Sequence, residues 1–284
     1  MSTSLTETDI ITREEDIEVE TNTNLEEEKI GNTIHKLSDF TSFVEDLPAD
    51  FILSRGQSGD YPLLPSGLRK DRKQNKKYSR QDVANFLNQF KINSHQYMEN
   101  PMDIKNDFEW MIYAQHYGIP TRLLDFTHSH IISLLFAVEN AFTEEEEDNL
   151  KDAVVWFLNP QKLNLKHCQT TQTIMLSEKE VKLDDYDGPV VVQGRKLHNR
   201  INSQNGLFVY FQETEKSLEK FIEDEEILRK VVIDKDAKKN ILASLYSMGI
   251  GFTHIYPELP YVGKDILMKN SIKGYLEYLK EGEV

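Results

Sequence analysis

The sequence predicts an α+β domain with a central mixed or antiparallel sheet and helical insertions. Short apolar runs of strand length are bounded by Gly, Pro or Asn: Phe51–Ser54, Leu123–Phe126, "AVVWFLNP", "GPVVVQG" and Leu207–Phe211. Longer segments with apolar residues at helical spacing lie between and after them. No internal repeat or low-complexity linker follows residue 32, so a single domain over 33–284 is the simplest account.

Residues 1–32 form an acidic, Thr/Glu-rich leader with few large apolar side chains. Such a composition cannot bury enough apolar surface to offset ordering, so it predicts a flexible segment. "HKLSDFTSFVEDLP" (35–48) reads as a helix with Ser38 at its start. Phe51–Ser54 then runs into Arg55-Gly56-Gln57 and a Pro/Gly-punctuated loop. "SRQDVANFLNQFKINSHQYM" and "DIKNDFEWMIYAQHYG" read as helices, and Ile131–Phe142 as a buried one. Thr143–Asp152 is a charged loop, and Ala153–Pro160 a strand with a proline stop. Gln161–Asp187 is irregular, with helical and loop character. "SLEKFIEDEE" reads as helix, "LRKVVIDKDAKKNILASLYSMGI" as strand then helix, and the C-terminal segment as a last helix.

The formal net charge of -15 argues against a broad electrostatic grip on nucleic acid or anionic membrane. It leaves room for a nucleic acid held in a local basic cleft. One cysteine, Cys168, excludes an intrachain disulfide framework and a cysteine zinc site. With no signal-peptide pattern and no run of about 20 apolar residues, a reducing, cytoplasmic setting without membrane contact is expected. His128 and His130 have the wrong spacing for a metal pair on one helical face, so no metal is expected. Walker, Gly-x-Gly-x-x-Gly and Gly-x-Ser-x-Gly patterns are all missing.

Three places hold unusual concentrations of polar groups. Arg55 at a strand end presents a planar fork suited to phosphate or carboxylate, and Gly56 beside it allows close backbone approach. The bland reading of the same residues is an Arg paired with a core acid beside a turn glycine. In "AQHYGIPTRLLDFTHSH", Gly118 and Thr127 or Ser129 are explained as helix punctuation. Arg122 and Asp125 read either as a buried pair or, with Gln115, His116 and Tyr117, as one wall of a pocket. In "RINSQNGLFVYFQETE", Gln204 precedes a strand and Gln212, Glu213 and Glu215 follow it. These read as an ordinary turn and strand exit, or as polar groups reaching a cleft.

"SRGQSGDYPLLPSGLRK", "AQHYGIPTRLLDFTHSHIISLLFAVENAF", "AVVWFLNP", "SQNGLFVYF" and "GFTHIYPELPYVGKDI" occur here in one order. Together they resemble the FRG domain family of bacterial and phage proteins, from about residue 35 to 276. Ser54 stands where a Phe usually precedes the Arg-Gly. The resemblance implies a place in host–phage conflict or toxin–antitoxin systems, with an antitoxin or a phage or host protein as partner. A second resemblance, to ADP-ribosyltransferases, implies an NAD site on a sheet core of that kind. Arg55-Gly56 is similar to its first element, Leu123–Thr127 with the following helix to its second, and Leu207–Phe211 to its third.

That second resemblance implies roles. Arg55, Gly56 and Gln57, with Gln115, His116, Tyr117, Arg122 and Thr127, would hold NAD, used as a substrate. Arg55, Asp125, Gln204 and Glu213 are the catalytic candidates, a carboxylate being needed to stabilise an oxocarbenium-like ribose. The expected function is an ADP-ribosyltransferase-like toxin or phage-defence effector that modifies a nucleic acid or protein. The alternatives are an NAD hydrolase and a non-catalytic module that binds a nucleotide or a partner.

Overall fold

All six residues of Ala153–Leu158 are buried. A strand covered on both faces reads as an unbroken apolar run, because neither side meets water. Ala153, Val155 and Phe157 pack into one hydrophobic cluster, and Val154, Trp156 and Leu158 into another. This strand therefore marks the middle of a layered structure.

The computed structural model describes residues 33–98, 101–143, 150–176, 182–195 and 206–282. Its strands are β1 (Thr33–Ile34), β2 (Leu53–Gln57), β3 (Leu123–Thr127), β4 (Ala153–Leu158), β5 (Ile174–Met175), β6 (Val190–Gln193), β7 (Gly206–Tyr210) and β8 (Leu228–Ile233). They form one open eight-stranded mixed sheet in the order β1-β8-β4-β2-β3-β7-β6-β5. The outer pairs β1–β8 and β5–β6 are parallel, and the inner pairs are antiparallel. The helices are α1 (Leu37–Asp46), α2 (Arg80–Ser94), α3 (Asp107–Gln115), α4 (His130–Val138), α5 (Pro160–Cys168), α6 (Leu218–Phe221), α7 (Lys238–Ser247) and α8 (Leu259–Gly282). An α+β fold with this sheet is what the sequence predicts.

Differences from the sequence reading have local causes. β2 continues through Arg55 to Gln57, because these residues pair with Trp156, Val155 and Val154 of β4. Arg55 is thus inside a strand, not at its end. The start of α1 is closed by Asp39, which accepts from the backbone N–H groups of His35 and Lys36, and not by Ser38. Pro160 does more than stop β4: it opens α5, where its missing N–H is no loss, and Asn159 caps the helix by accepting from Lys162 N–H. Of the helix expected over 217–226, one turn forms. Four consecutive acids, Glu223 to Glu226, follow it, and in a helix Glu223 and Glu226 would face each other at i,i+3 and repel. The acidic leader lies outside the described residues.

One face of the sheet packs α4 and α7 through Leu134, Leu135, Ile241 and Leu242. The long α8 is tied to this layer by a single buried carboxylate. Asp265 accepts from Tyr246 Oη at 2.6 Å, Phe252 N at 2.8 Å, Thr253 N at 3.2 Å and Thr253 Oγ1 at 2.7 Å. Burial alone would raise its pKa, but these donors outweigh that and hold it below the usual range. A folded-state pKa below the unfolded value means stability that is full above about pH 4 and lost as pH falls through the folded value. Asp265→Asn is expected to cost about 2–3 kcal/mol at pH 7. In urea titrations the gap from the parent should shrink below about pH 4. A gap that stays constant down to pH 3 would rule out a charged clamp.

Candidate functional site

β2 pairs with β4 along its whole length, and β3 pairs with β7 along its whole length. Among the described residues, β2 and β3 pair with each other only at Ser54↔Thr127. The sheet is thus two halves joined at one point, and the strands part beyond it. A cavity of about 330 Å³ opens in the parting, lined by residues of β2, β3, β7, α4 and the loop after β2.

The joint is clamped by α4. Ser54 Oγ lies 2.7 Å from His130 Nδ1 and 2.8 Å from Ser133 Oγ. A Cβ on Gly56 would stand 1.8 Å from the Ser133 carbonyl oxygen. Gly56 is therefore required for the approach of a helix, not of a ligand. Burial lowers the pKa of His130, against a hydrogen bond to the Phe51 backbone that raises it. The ring is then neutral near pH 7 and suited to accept from the Ser54 hydroxyl.

Arg55 and Asp125 meet in the opening. Arg55 Nη1 is 2.7 Å from Asp125 Oδ2 and donates to the Asp125 carbonyl at 2.8 Å. Asp125 Oδ1 accepts from Gln115 Nε2 at 3.2 Å, and the Gln115 oxygen accepts from Thr121 Oγ1. Enclosure works against the Asp125 charge, but Arg55, its hydrogen bonds and nearby His116 hold the carboxyl below its ordinary value. Asp125 sits at a cavity wall, so protein surrounds it while half of its side-chain surface remains reachable by water.

Arg55 Nε and Gln57 Oε1 are buried and have no hydrogen-bond partner among the described residues. Both residues line the cavity. Unsatisfied buried groups are uncommon in native proteins and call for a bound water or ligand. A second guanidinium, Arg69, also lines the cavity and donates from Nε to the Leu64 carbonyl at 3.1 Å. Desolvation first, and then the charge of Arg55, lower its pKa. Two guanidiniums that repel each other across a small cavity are stabilised by an anion placed between them. Tyr61, Phe136 and Phe208 supply apolar wall. Glu139, just past α4, faces the same cavity, and its Oε2 accepts from Tyr256 Oη at 3.3 Å.

Arg55, Gly56, Gln57, His116, Asp125 and Thr127 come together here, with Gln115 directly behind Asp125. Other candidates lie elsewhere. Arg122 pairs with Asp184 at 2.7 Å and stacks over Tyr210, in a separate hollow that also holds Glu213. Lys76 engages Glu213, and Lys70 engages Glu215. These acids follow the end of β7 remote from the cavity, since Gly206 pairs with Thr127 and Tyr210 with Leu123. Tyr117 is exposed and packs against Phe90 and Tyr113 in a third hollow. Gln204 lies outside the described residues; Gly206, where they resume, lines the cavity. Arg69, Glu139 and Tyr61 escaped the sequence reading. Glu139-Asn140 inside the apolar run "LLFAVENAF" was a usable signal, because a polar pair there needs a partner or a cavity. Arg69 and Tyr61 carry no such mark in a polar loop.

Among the described residues, no group of three or more His, Cys, Asp or Glu side chains is placed to hold a metal ion. No described helix is long and apolar enough to cross a membrane. Comparison with the curated proteins and with solved structures finds no match. A family model does match: that of the FRG domain, over residues 51–146. The matched span runs from the start of β2 to just past α4, and it contributes Arg55, Gln57, Arg69, His116, Asp125 and Glu139 to the cavity. The chain therefore carries an FRG domain, and the cavity between β2 and β3 is built mainly from it.

Proposed function

We propose that this cavity binds a dinucleotide of the NAD class and that the chain transfers the ADP-ribosyl group to an acceptor. The observation that carries the reading is the pair of guanidiniums, Arg55 and Arg69, in one cavity with unsatisfied Arg55 Nε and Gln57 Oε1. That set fits a pyrophosphate with a flanking ribose, and the aromatic walls fit a planar ring. The cavity volume lies in the range of small-molecule sites.

The step balances simply. The C1′–N bond of the nicotinamide ribose breaks, and its electron pair leaves on neutral nicotinamide. An acceptor oxygen or nitrogen forms the new bond to C1′ and gives up a proton to a carboxylate or to water. Asp125 and Glu139 line the cavity, and on this reading one of them stabilises the oxocarbenium-like ribose. With water as acceptor the same site is an NAD hydrolase. A role as a toxin or phage-defence effector, held in check by an antitoxin, rests on the FRG resemblance alone. A second reading, a nucleotide-binding module without turnover, is favoured by one observation: Asp125 is already neutralised by Arg55.

The test measures binding and turnover separately. NAD binding to the purified chain is followed by calorimetry, and nicotinamide release by chromatography. Binding that weakens at least about 10-fold in Arg69→Ala is expected, with release of nicotinamide by the parent protein. Binding without release would leave the module reading. No binding at millimolar NAD by folded protein would discard the NAD reading.

A further inference from the structure

Glu139 faces two hollows. The first is the cavity of Arg55 and Asp125; the second is a groove of about 460 Å³ between the end of α4, the turn Phe252–His254 and α8. Anything seated in the groove therefore lies beside a residue that also lines the cavity, and Glu139 Oε2 accepts from Tyr256 of the groove at 3.3 Å. The groove is aromatic: Tyr256 and Tyr261 stack with centroids 4.2 Å apart, and Phe142 forms another part of the lining. Its rings already hold cations of the chain itself. Lys264 lies over Tyr261 at 4.8 Å and Lys239 over Phe142 at 5.6 Å. Ring faces that attract ammonium groups attract a planar guanidinium more strongly, because it stacks as well and sheds water more easily.

The outer edge of the groove is apolar. Leu267, which lines it, is 70% exposed, and Leu259, Val262 and Ile266 on the same helix are exposed too. A cluster of exposed large apolar side chains beside a charged pocket marks a protein-binding surface. A polyanion would meet Glu139 as well as Lys264 in the groove, and a net charge of -15 on the chain.

We infer that the groove is the acceptor subsite, and that it takes an arginine side chain of a protein with apolar neighbours. The inference rests on the NAD reading of the cavity. The guanidinium takes the place of Lys264 over the Tyr261 ring, with a nitrogen at Glu139. As the C1′–N bond breaks and nicotinamide leaves with the electron pair, that nitrogen forms the bond to C1′. Its proton passes to the Glu139 carboxylate. Glu139 is then a catalytic residue that serves both substrates.

The experiment uses the full chain and NAD labelled on the adenylate phosphate, with separate pools of cell protein and cell RNA. The readout is label transferred per nicotinamide released. Label should enter protein, and added arginine amide should compete for it. Leu267→Asp should lower the transfer ratio at least about 10-fold while Leu267→Met preserves it. Both variants change an exposed position, and their melting temperatures verify folding. Label in RNA overturns the groove assignment and leaves the NAD reading standing. So does release of nicotinamide with neither pool labelled. Protein labelling that ignores both arginine amide and Leu267→Asp does the same. No nicotinamide release at all removes the transfer reaction and the acceptor subsite together, and leaves NAD binding to be decided by the calorimetry.

Discussion

Gly56→Ala is expected to destabilise the protein by about 3 kcal/mol or more and to close the cavity. The added methyl would stand 1.8 Å from the Ser133 carbonyl oxygen, 2.8 Å from its carbon and 2.9 Å from Ala137 N. All three are backbone atoms, so no rotamer change relieves the clash; α4 must move as a unit. Because α4 carries Ser133 and Phe136 and leads into Glu139, its displacement also disturbs the cavity. Urea unfolding measures the first effect and NAD titration the second. Gly263→Ala is the matched control. Gly263 lies in α8 with nothing near its missing Cβ, so alanine should stabilise by about 0.5–1 kcal/mol. If Gly56→Ala unfolds within about 0.5 kcal/mol of the parent, the close packing of β2 on α4 is wrong.

Arg55→Ala should weaken NAD binding by about 100-fold or more and should also destabilise the fold. On the NAD reading the loss removes a charge-assisted contact to the ligand, and in any case it leaves Asp125 enclosed without its cation. The Asp125 carboxyl, now held low mainly by Arg55, should then titrate higher, because enclosure loses its largest opponent. The double variant Arg55→Ala/Asp125→Asn should regain stability but not binding, since no orphan charge remains while the fork is still missing. Asp125→Asn alone separates the two functional readings. If Asp125 only anchors Arg55, its neutralisation frees the guanidinium and tightens NAD binding. If the carboxylate acts on the ribose, nicotinamide release falls while binding holds. Recovery of NAD affinity in the double variant would contradict a direct contact between Arg55 and the ligand.

Much of this architecture was legible beforehand because it depends on local physics. Leu123–Thr127 is a strand and His130–Val138 a helix for reasons contained in their own residues: apolar period, a positive-φ Gly118 after α3, and Thr127 accepting from Ser129 N–H. An ion pair of Arg55 with some core acid was among the readings, but Asp125 was paired with Arg122; the structure pairs Asp125 with Arg55 instead, and the FRG match covers both residues. What misled was chain distance. Glu213 follows the Tyr210 end of β7, and β7 runs antiparallel to β3, so Glu213 is remote from the cavity. Arg122 and Asp125 lie three residues apart, yet Arg122 turns to Asp184 and Tyr210 while Asp125 turns to Arg55.

Sequence by itself determined the fold class, the order of most elements and the FRG resemblance. Those follow from periodicity, turn chemistry and a contiguous motif, all of which act over a few residues. Only the tertiary structure decided that the sheet parts between β2 and β3, that Gly56 serves α4, and that Arg69 and Glu139 join the cavity. These depend on which distant segments pack together, and the balance of burial and charge that selects such contacts is not written in any one stretch of chain.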